Sequence, residues 1–254
     1  MELNTVIYII VFLYGIVIGS FLNVCIYRIP KGEDIVRTSS HCMKCNHDLK
    51  WYDLFPIVSF LWLGGKCRYC GTKLSLQYPV IEGINGVLYC IIIGVKGINA
   101  NSLLYCLFVS ALLTLSVIDI RTLEIPVGIN GFILVLGILH VIMNYRDFWN
   151  YGLGFISVSA GLLIIYYLLK GNGIGGGDIK LMAVSGLLLG WKENILAFLL
   201  ACIVGSMIHV ARMKIEKADH VLAFGPYLSA GIIVSLLWGE EIVNWYIKLL
   251  GIQG

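Results

Sequence analysis

The chain has 254 residues, of which 59% are apolar and only 13% charged. Soluble domains carry about 25% charged residues, so an ordinary water-soluble globule is excluded. The net charge of +3 is too small to argue for a nucleic-acid partner, and the partner that so much apolar sequence demands is a lipid bilayer.

Apolar runs near the ~20 residues needed to cross a bilayer recur along the chain, without the short alternating segments of a β-barrel. In order they are Asn4 to Cys25, Tyr78 to Val95, Ser102 to Ile118, Val127 to Met143, Tyr151 to Leu169, Ile179 to Gly190, Asn194 to Ala211 and Val221 to Trp238. The first has no basic leader in Met1-Glu2-Leu3-Asn4 and no small-x-small cleavage signature after it, so a retained span is expected rather than a signal peptide. The sixth is short for a crossing. Ile26 to Gln77 is the only sizeable polar insert. Three segments follow: a first transmembrane helix in 1–25, a cytoplasmic insert in 26–77 and a transmembrane bundle in 78–254.

Lysine and arginine set the orientation. With the insert inside, its eight cations join Arg121, Lys170, Lys180, Arg212, Lys214 and Lys217, and only Lys96, Arg146, Lys192 and Lys248 remain outside. The positive-inside rule then places the amino terminus outside. Loops after the insert are short, and no internal repeat is evident.

The insert carries Cys42-Met43-Lys44-Cys45 and Cys67-Arg68-Tyr69-Cys70, two Cys-x-x-Cys knuckles separated by 21 residues. This spacing suits tetrahedral Zn2+ at four thiolates, a structural staple for a small insert, and the reducing cytoplasm argues against disulfides. A redox or metal-free cysteine site is the alternative. His41 and His47 are runner-up ligands. Cys25, Cys90, Cys106 and Cys202 fall within spans and read as packing residues.

Asp119 ends the third span and Asp178 follows Gly173-Ile174-Gly175-Gly176-Gly177 at the start of the sixth. A carboxylate beside hydrocarbon costs about 2.5–3.5 kcal/mol on insertion scales, which makes such an acid functional by default. The topology brings both acids to one level on the cytoplasmic face. Two carboxylates in a partly desolvated site share a proton, the arrangement that peptide hydrolysis by an aspartic dyad requires. The plain readings are a helix-end ion pair with Arg121 for Asp119 and a helix cap for Asp178. A zinc protease is excluded by the lack of His-Glu-x-x-His. Ser185 or Ser206 with His209 leaves a serine protease conceivable, and a proton- or ion-coupled transporter using the same aspartates is the main alternative.

Together these residues resemble the bacterial type IV prepilin peptidases, or leader peptidase/N-methyltransferases. The likeness runs through Gly19-Ser20-Phe21-Leu22-Asn23-Val24, the paired knuckles, Tyr78-Pro79-Val80-Ile81-Glu82, Ile118-Asp119 with Ile125-Pro126, Gly175-Gly176-Gly177-Asp178-Ile179-Lys180-Leu181 and Phe224-Gly225-Pro226-Tyr227-Leu228. It implies a GxGD-type aspartic protease of the bacterial cytoplasmic membrane with Asp119 and Asp178 catalytic. Gly175, Gly176, Gly177 and Lys180 would form the active-site loop, and Phe224, Gly225 and Pro226 the substrate channel. Its substrates would be prepilins and pseudopilins, cut after a short basic leader on the cytoplasmic side. The resemblance also implies methylation of the new amino terminus from S-adenosylmethionine, associated with the insert, Gly65 and Glu82. Glu82 has a plainer reading as a partner of Arg28 or a nearby lysine. Val127 departs from the family, where a polar residue often follows the proline.

The fold expected is therefore an all-α polytopic membrane protein of about eight transmembrane helices with a small zinc-ribbon-like cytoplasmic insert. Oligomeric state is not legible in the sequence.

Overall fold

The computed structural model describes residues 2–171, 173–216, 223–249 and 251. Lys217 among the inner-face cations, and Val221 at the expected start of the last span, lie outside them. Outside the largely irregular insert the described chain is mainly helical, and among the described residues there are ten α-helices: α1 (Glu2–Arg28), α2 (Val58–Trp62), α3 (Gln77–Lys96), α4 (Ala100–Thr122), α5 (Val127–Met143), α6 (Phe148–Ser157), α7 (Ser159–Leu168), α8 (Gly176–Leu189), α9 (Trp191–Glu216) and α10 (Gly225–Leu249). Among the described residues six stretches are long and apolar enough to cross a membrane: Asn4–Lys31, Gln77–Lys96, Ala100–Thr122, Tyr145–Leu168, Trp191–Met213 and Gly225–Leu249. The shorter α5 and α8, of 17 and 14 residues, complete the eight apolar stretches. The protein is an all-α multi-pass membrane protein.

Contacts divide the chain into two compact units, Met1–Thr114 and Leu115–Gly254. In the first, α1 and α3 meet along a seam of small residues. Gly15 and Gly19 are four apart and so share one face of α1. A Cβ on Gly15 would stand 2.6 Å from the Gly86 Cα, and one on Gly19 2.7 Å from the Glu82 Cα. Lipid tails supply no hydrophobic drive between helices, so close backbone packing and interhelical hydrogen bonds must hold them. Asn85 supplies one, its Nδ2 donating to the Gly15 carbonyl at 2.8 Å while its Oδ1 accepts from the Ser110 hydroxyl at 2.8 Å.

The insert repeats one ten-residue device, contrary to the expectation of no repeat. Residues 40–49 and 65–74 each fold as a knuckle: Cys42 N–H donates to the His47 carbonyl and Leu49 N–H to Ser40, as Cys67 does to Thr72 and Leu74 to Gly65. The left-handed turn after the second cysteine falls on Asn46 in one and Gly71 in the other. The residue types differ, which hid the repeat. Arg28, buried at the end of α1, donates to the carbonyls of Asp34, Thr38 and Ser39 and ties down the irregular segment leading to the first knuckle.

In the second unit α8 is the central helix. Nine of its 14 residues are buried, so it is apolar all round because protein surrounds it, and it need not match the bilayer thickness. Gly154 of α6 and Gly186 of α8 pack backbone to backbone, and Asn194 Nδ2 donates to the Gly154 and Met182 carbonyls at 3.0 and 3.1 Å. The break between α6 and α7 coincides with Ser157 and Ser159, whose hydroxyls bond back to the carbonyls of Gly154 and Phe155, a habit that bends helices.

Candidate active site

Asp119 stands in the last turn of α4 and is 5% exposed. The helix ends just beyond it, at Leu123, whose N–H bonds back to the Asp119 carbonyl with Leu123 in the left-handed region. Its carboxylate is turned to the start of α10, where the Gly225 N–H donates to Oδ2 at 2.8 Å. That N–H belongs to the first turn of a helix and has no partner within it, so a carboxylate there satisfies it and meets the positive end of the helix dipole. The plain reading of Asp119 as only a helix-end ion pair gives way to this buried contact. A Cβ at 225 would lie 2.8 Å from Oδ2, so only glycine lets the backbone come this close.

Asp178 is the third residue of α8, which opens at Gly176, three residues before the expected span start at Ile179, with extended Gly175 before it. Its carboxylate folds back over Gly175: a Cβ there would meet Oδ2 at 2.9 Å. Gly177 is glycine for a different reason, since Ile125 presses on it, 2.8 Å from where a Cβ would be. Asp119 and Asp178 lie close enough for the charge of the first to act on the second. Gly176 and Lys180 are exposed beside them. Phe224 packs over Gly205 of α9 with its ring 6.5 Å from that of Tyr227, and of the three expected channel residues Phe224, Gly225 and Pro226, Gly225 meets the Asp119 carboxylate. The serine alternative fails on geometry, because the Ser185 hydroxyl meets no partner and that of Ser206 bonds back to Ile203.

In the first unit Glu82 is buried, and its Oε2 accepts the Ile57 N–H at 2.7 Å. The expected pairing with Arg28 is not made, since that guanidinium is spent on backbone carbonyls. Ile57 has φ +59, a strained position for a β-branched residue, and it opens α2. Gly65, φ +67, closes the same segment: its N–H bonds to the Phe60 carbonyl. Glu82 and Gly65 thus bracket α2. Nothing in the sequence announced the Ile57 contact, which depends on a strained backbone.

The Sγ atoms of Cys42, Cys45, Cys67 and Cys70 all lie within 4.8 Å of one another, with Cys42 and Cys70 at 3.8 Å. A tetrahedron with ~2.3 Å metal–sulfur arms has edges of about 3.8 Å, so the four can hold a metal ion. The Thr72 hydroxyl and backbone N–H hold the Cys70 thiol down to about 6. Backbone N–H groups of Cys45 and Lys44 lower that of Cys42. Both favour the thiolate a metal needs. The His47 ring stacks on Tyr69 at 3.6 Å between centroids, and neither His41 nor His47 belongs to the ligand cluster.

These features define a multi-pass helical membrane protein with two carboxylates at helix ends and a four-cysteine cluster able to hold a metal ion in a polar insert. Two family descriptions match the sequence: the bacterial peptidase A24 N-terminal domain over residues 13–95, and the type IV leader peptidase family over residues 106–210. Relatives named prepilin leader peptidase/N-methyltransferase include that of Bacillus subtilis (strain 168), 33% identical over 246 residues, covering 94% of this chain and 98% of the relative. That of Aeromonas hydrophila is 30% identical, covering 94% and 93%, and that of Pseudomonas putida 29% identical, covering 93% and 92%. No solved structure matches the chain significantly. The chain belongs to the type IV leader peptidase family.

Proposed function

We propose that the protein cleaves the leader from type IV prepilins and pseudopilins and methylates the amino terminus so exposed. The observation that carries the peptidase half is that Asp119 and Asp178, both at helix ends in one unit, lie within electrostatic reach of each other, with Asp119 held by the Gly225 N–H. The ionised member of the pair takes a proton from water as its oxygen attacks the scissile carbonyl carbon, and the protonated member donates to the carbonyl oxygen. The C–N bond then breaks, and the amine leaves with a proton returned from the pair. The substrate channel is assigned to Phe224, Gly225 and Pro226, and the loop of Gly175, Gly176, Gly177 and Lys180 to backbone clearance beside the dyad. The charge asymmetry supports an amino terminus outside and a dyad facing the cytoplasm of a bacterial cell. The transporter reading draws no support from any relative.

Zn2+ is assigned to Cys42, Cys45, Cys67 and Cys70 as a structural ion, for the spacing of their sulfurs fits it. For the methyl donor, S-adenosylmethionine, the chemistry fits a cavity of about 340 Å³ lined by Tyr52, Phe55, Val58, Ser59, Trp62 and Arg68. Aromatic walls suit an adenine ring, and Arg68 beside them is held by Asp53, its Nε donating to Oδ1 at 2.6 Å. The α2 segment that contributes Val58, Ser59 and Trp62 is the one Glu82 and Gly65 bracket. The donor supplies an activated methyl group, and Glu82 would hold α2 in position through Ile57.

The experiment is cleavage of a prepilin by purified protein in detergent or liposomes. Asp119→Asn and Asp178→Asn should each abolish cutting while leaving the melting temperature near that of wild type; wild-type rates in either variant would reject the dyad.

A further inference from the structure

We propose that Asn130 is a substrate-binding residue beside the dyad, its carboxamide pairing with the main-chain peptide group of the segment to be cut. This rests on the peptidase reading above. Asn130 is the fourth residue of α5 and is 4% exposed. Among the described residues, four buried side-chain atoms find no hydrogen-bond partner, and two of them are the Oδ1 and Nδ2 of Asn130. A carboxamide unpaired at both atoms is costly in an apolar interior, and an apolar side chain of similar size would remove that cost. Such a residue is therefore retained for something that satisfies it in another state.

The packing of α5 on α8 tells where that something arrives. The two helices run parallel: Ile125, just before α5, meets Gly177 at the start of α8, while near the far ends His140 Nδ1 lies 3.2 Å from the Leu187 carbonyl. Between them Gly137 sits against Leu187 and Val184, a Cβ there falling 2.8 Å from the Leu187 Cβ and 3.4 Å from the Val184 carbonyl. Seven residues are two turns and return to the same face. Two turns before Gly137 is Asn130, and two turns before Val184 and Leu187 are Gly177 and Lys180. Asn130 thus faces the first turn of α8, where Asp178 lies between those two residues.

The unpaired atoms also say what chemistry fits. A carboxylate would satisfy only Nδ2 and an ammonium only Oδ1, whereas an extended peptide offers one C=O and one N–H together. A cleaved segment must be extended for the dyad to reach its carbonyl, so its backbone groups are free to pair. Contact to the backbone rather than to side chains also suits an enzyme that processes several precursors.

The test replaces Asn130 with leucine, which fills the volume without a donor or acceptor. Asn130→Leu should melt at the wild-type temperature or above it, yet lose about tenfold or more in kcat/KM on a prepilin, chiefly through KM. Prepilins carrying a single N-methylated peptide bond near the cleavage site provide the second readout. At one position the methyl should slow the wild type while leaving Asn130→Leu no worse, because the lost N–H and its acceptor are the same contact. A leucine variant with wild-type kcat/KM overturns the proposal, as does one whose activity falls only together with its melting temperature, which marks Asn130 as structural. Loss of cutting in Asp178→Asn with none in Asn130→Leu removes Asn130 alone, whereas cutting that survives Asp178→Asn strikes the dyad itself.

Discussion

A single missing Cβ decides how Asp119 is held. Because an added methyl at 225 would come within 2.8 Å of Oδ2, Gly225→Ala must push the carboxylate aside or lift α10 away from it. Displacement on the order of 1 Å at a reacting group costs about 100-fold in rate, so we expect cleavage to fall by about 10- to 100-fold. The melting temperature should hardly move, since one exchanged backbone contact is a small part of the packing; a wild-type rate in this variant would refute the contact's importance. A second residue-scale prediction concerns Cys70, whose thiol Thr72 holds down to about 6. With its pKa below neutrality, the thiolate predominates at pH 7 once a chelator has removed any metal. Iodoacetamide should therefore label Cys70 ahead of the buried Cys25 and Cys106, and Thr72→Val should slow that labelling by raising the pKa. Equal labelling with and without the Thr72 hydroxyl would show that it sets nothing.

Among the elements, α2 carries the most consequence for its five residues. It is opened by a strained Ile57 that Glu82 secures and closed through Gly65, and it brings Trp62 to the cavity assigned to the methyl donor. Trp62→Ala removes one aromatic wall and leaves the second unit untouched, so methylation should drop by about tenfold or more while cleavage stays within about twofold. Mass spectrometry of the cut pilin, comparing methylated with unmethylated amino termini, reads both at once; full methylation would move the donor elsewhere. This element was also the least legible in the sequence. Long apolar runs declare themselves by composition, and Asp119 and Asp178 stood out because charge among such runs is expensive. The cysteine ligands followed from chelate spacing, which is a local property. By contrast Glu82 was matched to Arg28 by charge, and the structure satisfies both through backbone groups, which no pattern of side chains reveals. Asn130 was invisible for the same reason: one asparagine in an apolar helix has no meaning until its neighbours are known. The Gly225 contact came within reach only through family resemblance, since what matters there is a backbone N–H.

At the scale of the whole chain, the two proposed chemistries fall in different units: the metal centre, α2 and Glu82 before Thr114, the aspartates after it. Within the first unit, what holds the insert differs from what holds the helices. The insert has few buried large apolar side chains besides its cysteines, so an ion bound at the four thiols would supply folding free energy there, whereas α1 and α3 are joined by the Gly15, Gly19 and Gly86 seam, which owes nothing to metal. Removing the ion should therefore loosen residues 41–73 without separating the membrane helices or disturbing Asp119 and Asp178. We expect about one zinc per chain by elemental analysis, lost in Cys67→Ser and on chelation, and lost also on acidification, because protonated thiols no longer bind metal. Protease nicking within the insert should rise as the metal leaves, while prepilin cleavage persists at about half the wild-type rate or more. Metal-free protein that resists nicking as well as the loaded form would deny the ion its structural role, and cleavage that vanishes with the metal would show that the two units do not act independently.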